Sequence, residues 1–263
     1  MPSIATQLET LRKQFEDSYD PRMPFQLIDR LVVAKIGDLF HLAYYGTPVE
    51  GNYVALLETI ARPEIAPYIG ALSFAGPDEG ANGTRNWDLT PLVSTDAVFS
   101  QLKSFTLPLR QPGEHYQTIV AEIYDEEGVI AKLLNKAPQI NHLAVPSSPN
   151  EEFFEREHHC LERLQVDAGY DPQNFIANLA ASTCFPKLAC LEWGEYNVTE
   201  MDNYPEACTP LKHYHQLFRA PAMDPVTSFV WRNPVCSREE IKQLAEMRPE
   251  LSILVVRFSE EYI

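Results

Sequence analysis

Two histidine-containing motifs have the residue types that could bind a metal ion. His158-His159-Cys160 and His213-Tyr214-His215 each bring such side chains together. Structural zinc needs four ligands, usually as pairs from two short segments. Neighbouring side chains in the first motif point apart on a helix or a strand. His213 and His215 would need further ligands from elsewhere. We therefore interpret both motifs as surface histidines, and we expect no metal and no other cofactor.

Motifs for nucleophilic catalysis and phosphate binding are missing from the sequence. It contains no G-x-S-x-G elbow, no cysteine-protease signature, no P-loop and no G-x-G-x-x-G. The carboxylate pairs Glu151-Glu152, Glu239-Glu240 and Glu260-Glu261 are adjacent along the chain, which indicates solvated charge rather than a glycosidase pair. We therefore expect a protein that is not an enzyme. An α/β enzyme of hydrolase-like activity is the alternative.

The charge balance indicates the kind of partner. The 263 residues include 37 Asp and Glu against 21 Lys and Arg, a formal net charge of −16. Phosphate backbones repel such a surface, so we expect no nucleic-acid partner. A basic protein is the electrostatic complement, because opposite fields speed encounter. The alternative is that the acidity only keeps the protein soluble.

Composition also bears on localisation. No apolar run approaches the ~18–20 residues of a membrane helix. The first residues lack the basic and apolar regions of a secretory signal. The five cysteines are odd in number and show no C-x-x-C spacing, which favours reduced thiols over a disulfide framework. We expect a cytoplasmic protein with no membrane partner.

A recurring six-residue pattern indicates the elements that would position a binding surface. Its best copy has apolar residues at positions one, four and six, which are Leu161, Leu164 and Val166. Similar copies, at irregular spacing, occupy residues 69–74, 102–107, 140–145, 188–193, 226–231 and 251–256. A short strand of this kind cannot bury its apolar side chains alone, so neighbouring copies are expected to stack around one core.

Segments between the copies have helical spacing. Residues 127–137 carry apolar side chains at three- and four-residue intervals, as do residues 237–247. Ser237 and Glu240 form a capping-box pair at the start of the second segment. Prolines follow both segments and are expected to end the helices. A helix, a proline that ends it and then a strand follow one another in each unit of a solenoid.

These hexamers resemble the leucine-rich repeat family, and more narrowly its ribonuclease-inhibitor-like members. The resemblance covers roughly residues 66–257 and implies a right-handed α/β horseshoe with short parallel strands inside and helices outside. The family's Asn or Cys after each strand is replaced by Gly169 and Tyr196 after the two best copies. We therefore expect an α/β fold, a leucine-rich-repeat-like solenoid with irregular repeats.

The first 65 residues are predicted to cap this solenoid. Residues 3–17 form an amphipathic helical pattern, and Gly37-Asp38 separates two apolar runs as in a β-hairpin. Residues 52–61 resemble a first outer helix, with Val54, Leu57 and Ile60 facing inward. The expected organisation is a cap over residues 1–65 and a solenoid over residues 66–263.

Three segments depart from the repeat. Residues 76–96 form a turn-rich loop in which Trp87 is either an exposed anchor or a side chain tucked under the loop. Residues 108–126 form a second excursion. Residues 188–226 leave room for a hidden repeat, with residues 211–218 as its drifted strand.

The family resemblance also implies a partner-binding surface. In that family the side chains between the apolar positions point out from the inner strands, so we predict a protein-binding module that uses the concave or rim surface. No small-molecule ligand is expected. A narrower hypothesis is a bacterial immunity or inhibitor protein for a basic effector or toxin, and a structural subunit of a complex is a further alternative. The predicted contact residues are Arg163, Gln165, Asp167, Glu192, Arg232 and Arg257 on the strands, and Tyr170, Glu195 and Tyr196 at the rim.

Overall fold

A computed structural model describes residues 2–17, 29–48, 51–78, 83–111, 113–195 and 203–258. Within these ranges the chain forms eleven β-strands and seven α-helices. The strands are β1 (Arg30–Ile36), β2 (Leu39–Tyr45), β3 (Ile69–Ala75), β4 (Gly83–Asn86), β5 (Ser104–Thr106), β6 (Tyr116–Ile119), β7 (His142–Val145), β8 (Arg163–Asp167), β9 (Cys190–Gly194), β10 (Ser228–Arg232) and β11 (Ser252–Val256). The helices are α1 (Ile4–Asp17), α2 (Gly51–Ile60), α3 (Thr90–Val93), α4 (Val129–Lys136), α5 (Phe175–Ala181), α6 (Leu211–Arg219) and α7 (Arg238–Met247).

Nine of these strands form one mostly parallel sheet. Its order is β1-β2-β3-β5-β7-β8-β9-β10-β11, so each strand pairs with the next strand that the chain contributes to this sheet. Only β1 and β2 are antiparallel, and every later pair is parallel. Each of the seven predicted hexamers contains or overlaps one strand of this sheet, β3 and β5 through β11 without β6. The fold is therefore mixed α/β, as the hexamer pattern predicts.

The two faces of the sheet differ in burial. One row of apolar side chains runs across six neighbouring strands, and each member is at most 1% exposed. The row consists of Leu72, Phe105, Leu143, Leu164, Leu191 and Phe229. These residues belong to one core cluster with buried residues of the helices, such as Leu133, Leu179 and Leu217. Along each strand, the side chains that alternate with this row lie on the opposite face of the sheet. We call that face the open face.

The outer helices follow the predicted pattern with one correction. Helix α4 buries Val129, Ile130, Leu133 and Leu134, and α7 begins with the predicted capping box. The segment predicted as a drifted strand is the helix α6, and β9 pairs directly with β10, so the hidden repeat is wrong. The apolar side chains of this segment recur at helical rather than strand spacing, and Tyr214, Leu217 and Phe218 are buried.

The N-terminal region joins the same sheet. Helix α1 buries Leu8, Leu11 and Phe15 and contacts β1. The predicted hairpin is confirmed as β1 and β2, with Gly37 in the turn at φ +62°. Strand β2 then pairs with β3. Helix α2 confirms the predicted outer helix, but Val54 is 40% exposed and does not face inward.

The two excursions pair with each other. Strand β4 from the first and β6 from the second form a separate parallel two-stranded sheet. Trp87 follows β4 and is fully buried, with its ring 5.4 Å from that of Tyr53. The tucked alternative is therefore correct for Trp87. Both excursions lie after strand ends, where α/β sheets commonly place their binding loops.

No helix in the described part of the chain is long and apolar enough to cross a membrane.

Candidate functional site

The open face brings together most of the predicted strand residues. Parallel register aligns Arg163 with Cys190, Gln165 with Glu192, and Asp167 with Gly194. Strand β10 continues these three rows with Ser228, Val230 and Arg232. Strand β7 continues the first two with His142 and Ala144 on the other side. The repeated register thus gathers side chains that are far apart in sequence onto one surface.

Hydrogen bonds connect three neighbouring strands across this face. Gln165 Nε2 donates to Glu192 Oε2 at 2.6 Å, and Gln165 Oε1 lies 2.7 Å from His142 Nε2. Because the amide oxygen only accepts, His142 Nε2 must carry a proton. Glu192 Oε1 forms an ion pair with Arg232 Nε at 3.1 Å, although this contact is outside hydrogen-bond geometry. We call His142, Gln165 and Glu192 the polar row.

The polar row has one feature in common with a catalytic triad. Ser104 Oγ lies 3.4 Å from His142 Nδ1, so a hydroxyl and an amide oxygen lie near the two nitrogens of one imidazole. A triad uses a carboxylate as the third member to stabilise the imidazolium, whereas Gln165 offers a neutral amide. In this form the row orders the histidine through both of its ring nitrogens.

A buried ion pair closes one end of the face. Arg232 pairs with Asp167, and their side chains are 7% and 10% exposed. The two residues lie on β10 and β8, on either side of Gly194 in β9. An added Cβ at Gly194 would lie 2.1 Å from Asp167 Oδ1, so only glycine leaves room for this pair. The predicted partner contacts Asp167 and Arg232 are thus occupied with each other.

The same ion pair holds the second excursion. Arg110 N donates to Asp167 Oδ2 at 3.0 Å, and Arg232 Nη1 donates to the carbonyl of Arg110 at 2.7 Å. Leu107 N also donates to the carbonyl of Ala144 at 2.9 Å. The chain after β5 therefore runs across the carboxyl ends of β7 and β8. Asp167 and Arg232 position this segment at the edge of the open face.

Arg163 is the predicted residue that is most available to a partner. It is exposed, and its side chain makes no hydrogen bond or ion pair with the residues that the structure describes. Gln165 and Glu192 are half-buried and already hydrogen-bonded. Arginine presents five donors in a planar fork, which suits carboxylate and carbonyl acceptors on a protein surface.

Tyr170 lies at the rim, as predicted. Its hydroxyl is 2.9 Å from Thr84 Oγ1, and its ring centroid is 6.2 Å from that of Tyr124. Gln117 Nε2 donates to the carbonyl of Gly169 at 3.0 Å. The small β4-β6 sheet thus supports the loop that follows β8.

Glu195 is buried inside the protein, whereas the sequence pattern places it on an exposed rim. It is 8% exposed and accepts hydrogen bonds from Trp193 Nε1 at 2.9 Å, from Thr209 N at 3.2 Å and from the Tyr214 hydroxyl. Burial, and then the charge of Glu195, raise the pKa of Tyr214 well above its ordinary value. Glu195 therefore joins β9 to helix α6. The other predicted rim residue of this segment, Tyr196, lies outside the described residues.

Arg257 is displaced from the open face by the register of the last strand. Ile253 of β11 aligns with buried Phe229, so Ile253 and Val255 turn inward and Leu254 turns outward. The predicted phase of this copy is therefore wrong by one residue. The Arg257 guanidinium donates to the carbonyls of Pro234 at 2.9 Å and Cys236 at 2.8 Å. It fastens the turn after β10.

The two histidine motifs lie on different elements, the first before strand β8 and the second in helix α6. His158 stacks on Phe185 with ring centroids 5.6 Å apart, and burial lowers its pKa. His213 lies on helix α6, and burial lowers its pKa as well. Within the described ranges no group of three or more His, Cys, Asp or Glu could hold a metal ion, and all five cysteines are free thiols.

One exposed feature of the rim was not among the predicted contacts. Tyr124 is 64% exposed and Ile123 is 45% exposed, and they lie between Glu122 and Asp125 in the second excursion. The signal in the sequence was an aromatic residue inside an acidic run, residues 122–127.

Comparisons of this chain with protein-family models, with curated proteins and with solved structures give no match.

Proposed function

We propose that the chain is a divergent, leucine-rich-repeat-like solenoid that binds another protein of basic character through its open face and the adjoining rim. Strands added in chain order, and contacts between most of the successive helices, support the solenoid. The observation that carries the binding role is the polar row beside exposed Arg163. Its side chains are already ordered by hydrogen bonds, so a partner would meet a surface with little conformational entropy left to lose.

Charge supports the choice of partner. The net charge of −16 attracts a basic protein over distances of about one Debye length, roughly 8 Å at physiological salt. Binding of such a partner fits a role for this chain as the inhibitor of a basic effector protein. The face itself is mixed in sign, because Arg163 lies near Glu192. Mixed charge gives specificity, since a wrong partner would leave one of these groups unpaired.

The experiment compares two matched double variants with the wild type. Arg163→Ala/Glu192→Ala removes one cation and one carboxylate from the open face. Lys242→Ala/Glu246→Ala removes the same charges from helix α7, where both side chains are 67% exposed. A partner is isolated from native lysate with the wild type at low salt and purified, and its Kd is measured for each protein. We expect at least ten-fold weaker binding for the open-face variant and an unchanged Kd for the helix variant.

Two results would contradict this proposal. Equal Kd values for both variants would remove the open face from the interface. A Kd that does not rise between 50 and 300 mM salt would remove the electrostatic argument for a basic partner.

A second candidate function is a hydrolase-like activity, which the alignment of Ser104, His142 and Gln165 favours. The test is turnover of a panel of ester and amide substrates by the wild type, Ser104→Ala and His142→Ala. Activity that both variants lose would support the enzyme. Activity that persists in both would assign it to a contaminant or to another site.

A further inference from the structure

An exposed aromatic surface lies on the rim beyond the carboxyl ends of β7 and β8. Tyr124 is the most exposed large hydrophobic side chain in the described part of the chain, at 64%, and Ile123 beside it is 45% exposed. Tyr170 lies against Tyr124, with the two rings inclined by 65°. We call Glu122, Ile123, Tyr124, Asp125, Tyr170 and Asp171 the rim platform.

Contacts from neighbouring elements hold this platform in place. Gln173 Nε2 donates to the carbonyl of Tyr124, and the Tyr170 hydroxyl bonds Thr84 Oγ1. Below the loop, Val120 N donates to Ser147 Oγ at 2.8 Å. Buried Glu126 accepts from the backbone N–H of Ile130 at 2.8 Å. An exposed aromatic side chain on a fixed backbone is suited to contact a partner, because little order has to be created on binding.

The negative charges around the rim platform favour a positively charged occupant. Glu122, Asp125 and Asp171 are exposed around the two tyrosines, and the segments 121–127 and 168–174 contain no lysine or arginine. The nearby Lys132 donates to the carbonyl of Glu127 at 2.7 Å. A cation over an electron-rich ring is attracted by the ring and by the carboxylates together. Phosphate-bearing partners would be repelled by the same groups.

We propose that the rim platform binds an arginine side chain presented by the basic partner, with the guanidinium stacked on Tyr124 and paired with Glu122 or Asp171. Arginine fits better than lysine because its planar guanidinium stacks on an aromatic face and bonds a carboxylate with two N–H groups. This inference rests on the proposed function and adds a second contact region to the open face.

The test uses a short peptide with two arginines, acetyl-Gly-Arg-Gly-Arg-Gly-amide, and its counterpart with citrulline in place of arginine. Citrulline keeps the shape and removes the charge. Titrations are followed by backbone amide and tyrosine ring NMR signals of the full chain. We expect saturable shifts at residues 122–125 and 170–171 with the arginine peptide, and at least ten-fold weaker binding of the citrulline peptide.

Matched variants locate the site. Tyr124→Ala is expected to weaken binding of the arginine peptide about five-fold, which corresponds to the loss of one exposed cation–π contact. Glu122→Gln is expected to weaken it about three-fold, because one exposed ion pair is lost. Tyr68→Ala and Glu64→Gln, which alter an exposed tyrosine and an exposed glutamate elsewhere, should leave the affinity unchanged.

Equal binding of both peptides, or wild-type affinity in Tyr124→Ala, would overturn the inference. Failure here is distinguishable from failure of the proposed function. The double variant Arg163→Ala/Glu192→Ala alters only the open face. It should leave the affinity for the peptide unchanged and lower the affinity for the whole partner protein. If the peptide fails to bind and that double variant still weakens the partner, the rim platform is wrong and the open face stands.

Discussion

Asp167 and Arg232 form a buried ion pair over Gly194, although 65 residues separate them along the chain. The glycine is the position on the intervening strand at which any side chain would collide with the Asp167 carboxylate. The pair also binds both polar groups of the Arg110 backbone. A single interaction thus links two strands of the sheet to the segment that crosses the edge of the open face.

Gly194→Ala is the simplest test of this arrangement. The added methyl group would force the carboxylate away from Arg232 and leave buried charge uncompensated. We expect a loss of about 3–5 kcal/mol in the free energy of unfolding, as for other broken buried pairs. Gly51→Ala is the control, because an added Cβ there meets no atom within 4 Å. Urea denaturation of both variants measures the difference, and a loss below about 1 kcal/mol in Gly194→Ala would contradict the steric argument.

A double-mutant cycle separates the ion pair from its surroundings. Asp167→Asn leaves buried Arg232 with Glu192 as its remaining carboxylate, and Arg232→Met leaves Asp167 and Glu192 without their cation. Each change breaks the buried pair and is expected to cost about 3–5 kcal/mol. The combined variant leaves neither charge, so it should cost clearly less than the two single losses together. Additive losses would mean that the two side chains stabilise the fold independently.

Much of the fold was predictable from local pattern. Repeated apolar spacing located the strands of the main sheet, because each buried row requires the same spacing. The phase of β11 was not predictable, since Ser252-Ile253-Leu254-Val255-Val256 is apolar at four consecutive positions and fits either face. Pairing between β4 and β6 depends on contacts between distant turn-rich segments, for which the sequence carries no periodic signal.

Candidate site residues were predictable as positions but not as roles. The spacing placed Gln165 and Glu192 on one face. It did not reveal that Asp167 and Arg232 would pair with each other, because that depends on the glycine between them in space. Glu195 follows a strand directly, as a rim residue would, yet its carboxylate accepts hydrogen bonds from Trp193 and Tyr214 inside the protein.

Glu195→Gln tests this structural role. A neutral amide weakens the hydrogen bonds from Trp193, Thr209 and Tyr214 to a charged acceptor. We expect a loss of about 1.5–3 kcal/mol in the free energy of unfolding, the range for hydrogen bonds to charged groups. Partner affinity, measured below the unfolding transition, should be unchanged. A large drop in affinity with normal stability would place Glu195 in the interface after all.

Glu126 gives the protein a defined pH dependence. Burial raises its pKa above the ordinary 4.5, although three backbone N–H groups oppose the shift. A raised folded-state pKa means that stability from this group is present at low pH and is lost as pH rises from 4.5 through the folded pKa. The wild type should therefore lose stability relative to Glu126→Gln as the pH rises above 4.5. Parallel stability curves for the two proteins would show that the carboxylate is not destabilised by burial.

Binding through the open face is tested most directly by site-specific crosslinking. The photoreactive residue p-benzoylphenylalanine replaces Cys190, which aligns with Arg163 on the open face, in one protein and Lys242 on helix α7 in another. Both are illuminated with the purified partner, and the yield of covalent adduct is measured by mass spectrometry. The proposed function predicts a high yield from position 190 and only background from position 242. Adducts mainly from position 242 would place the partner on the helices and contradict it.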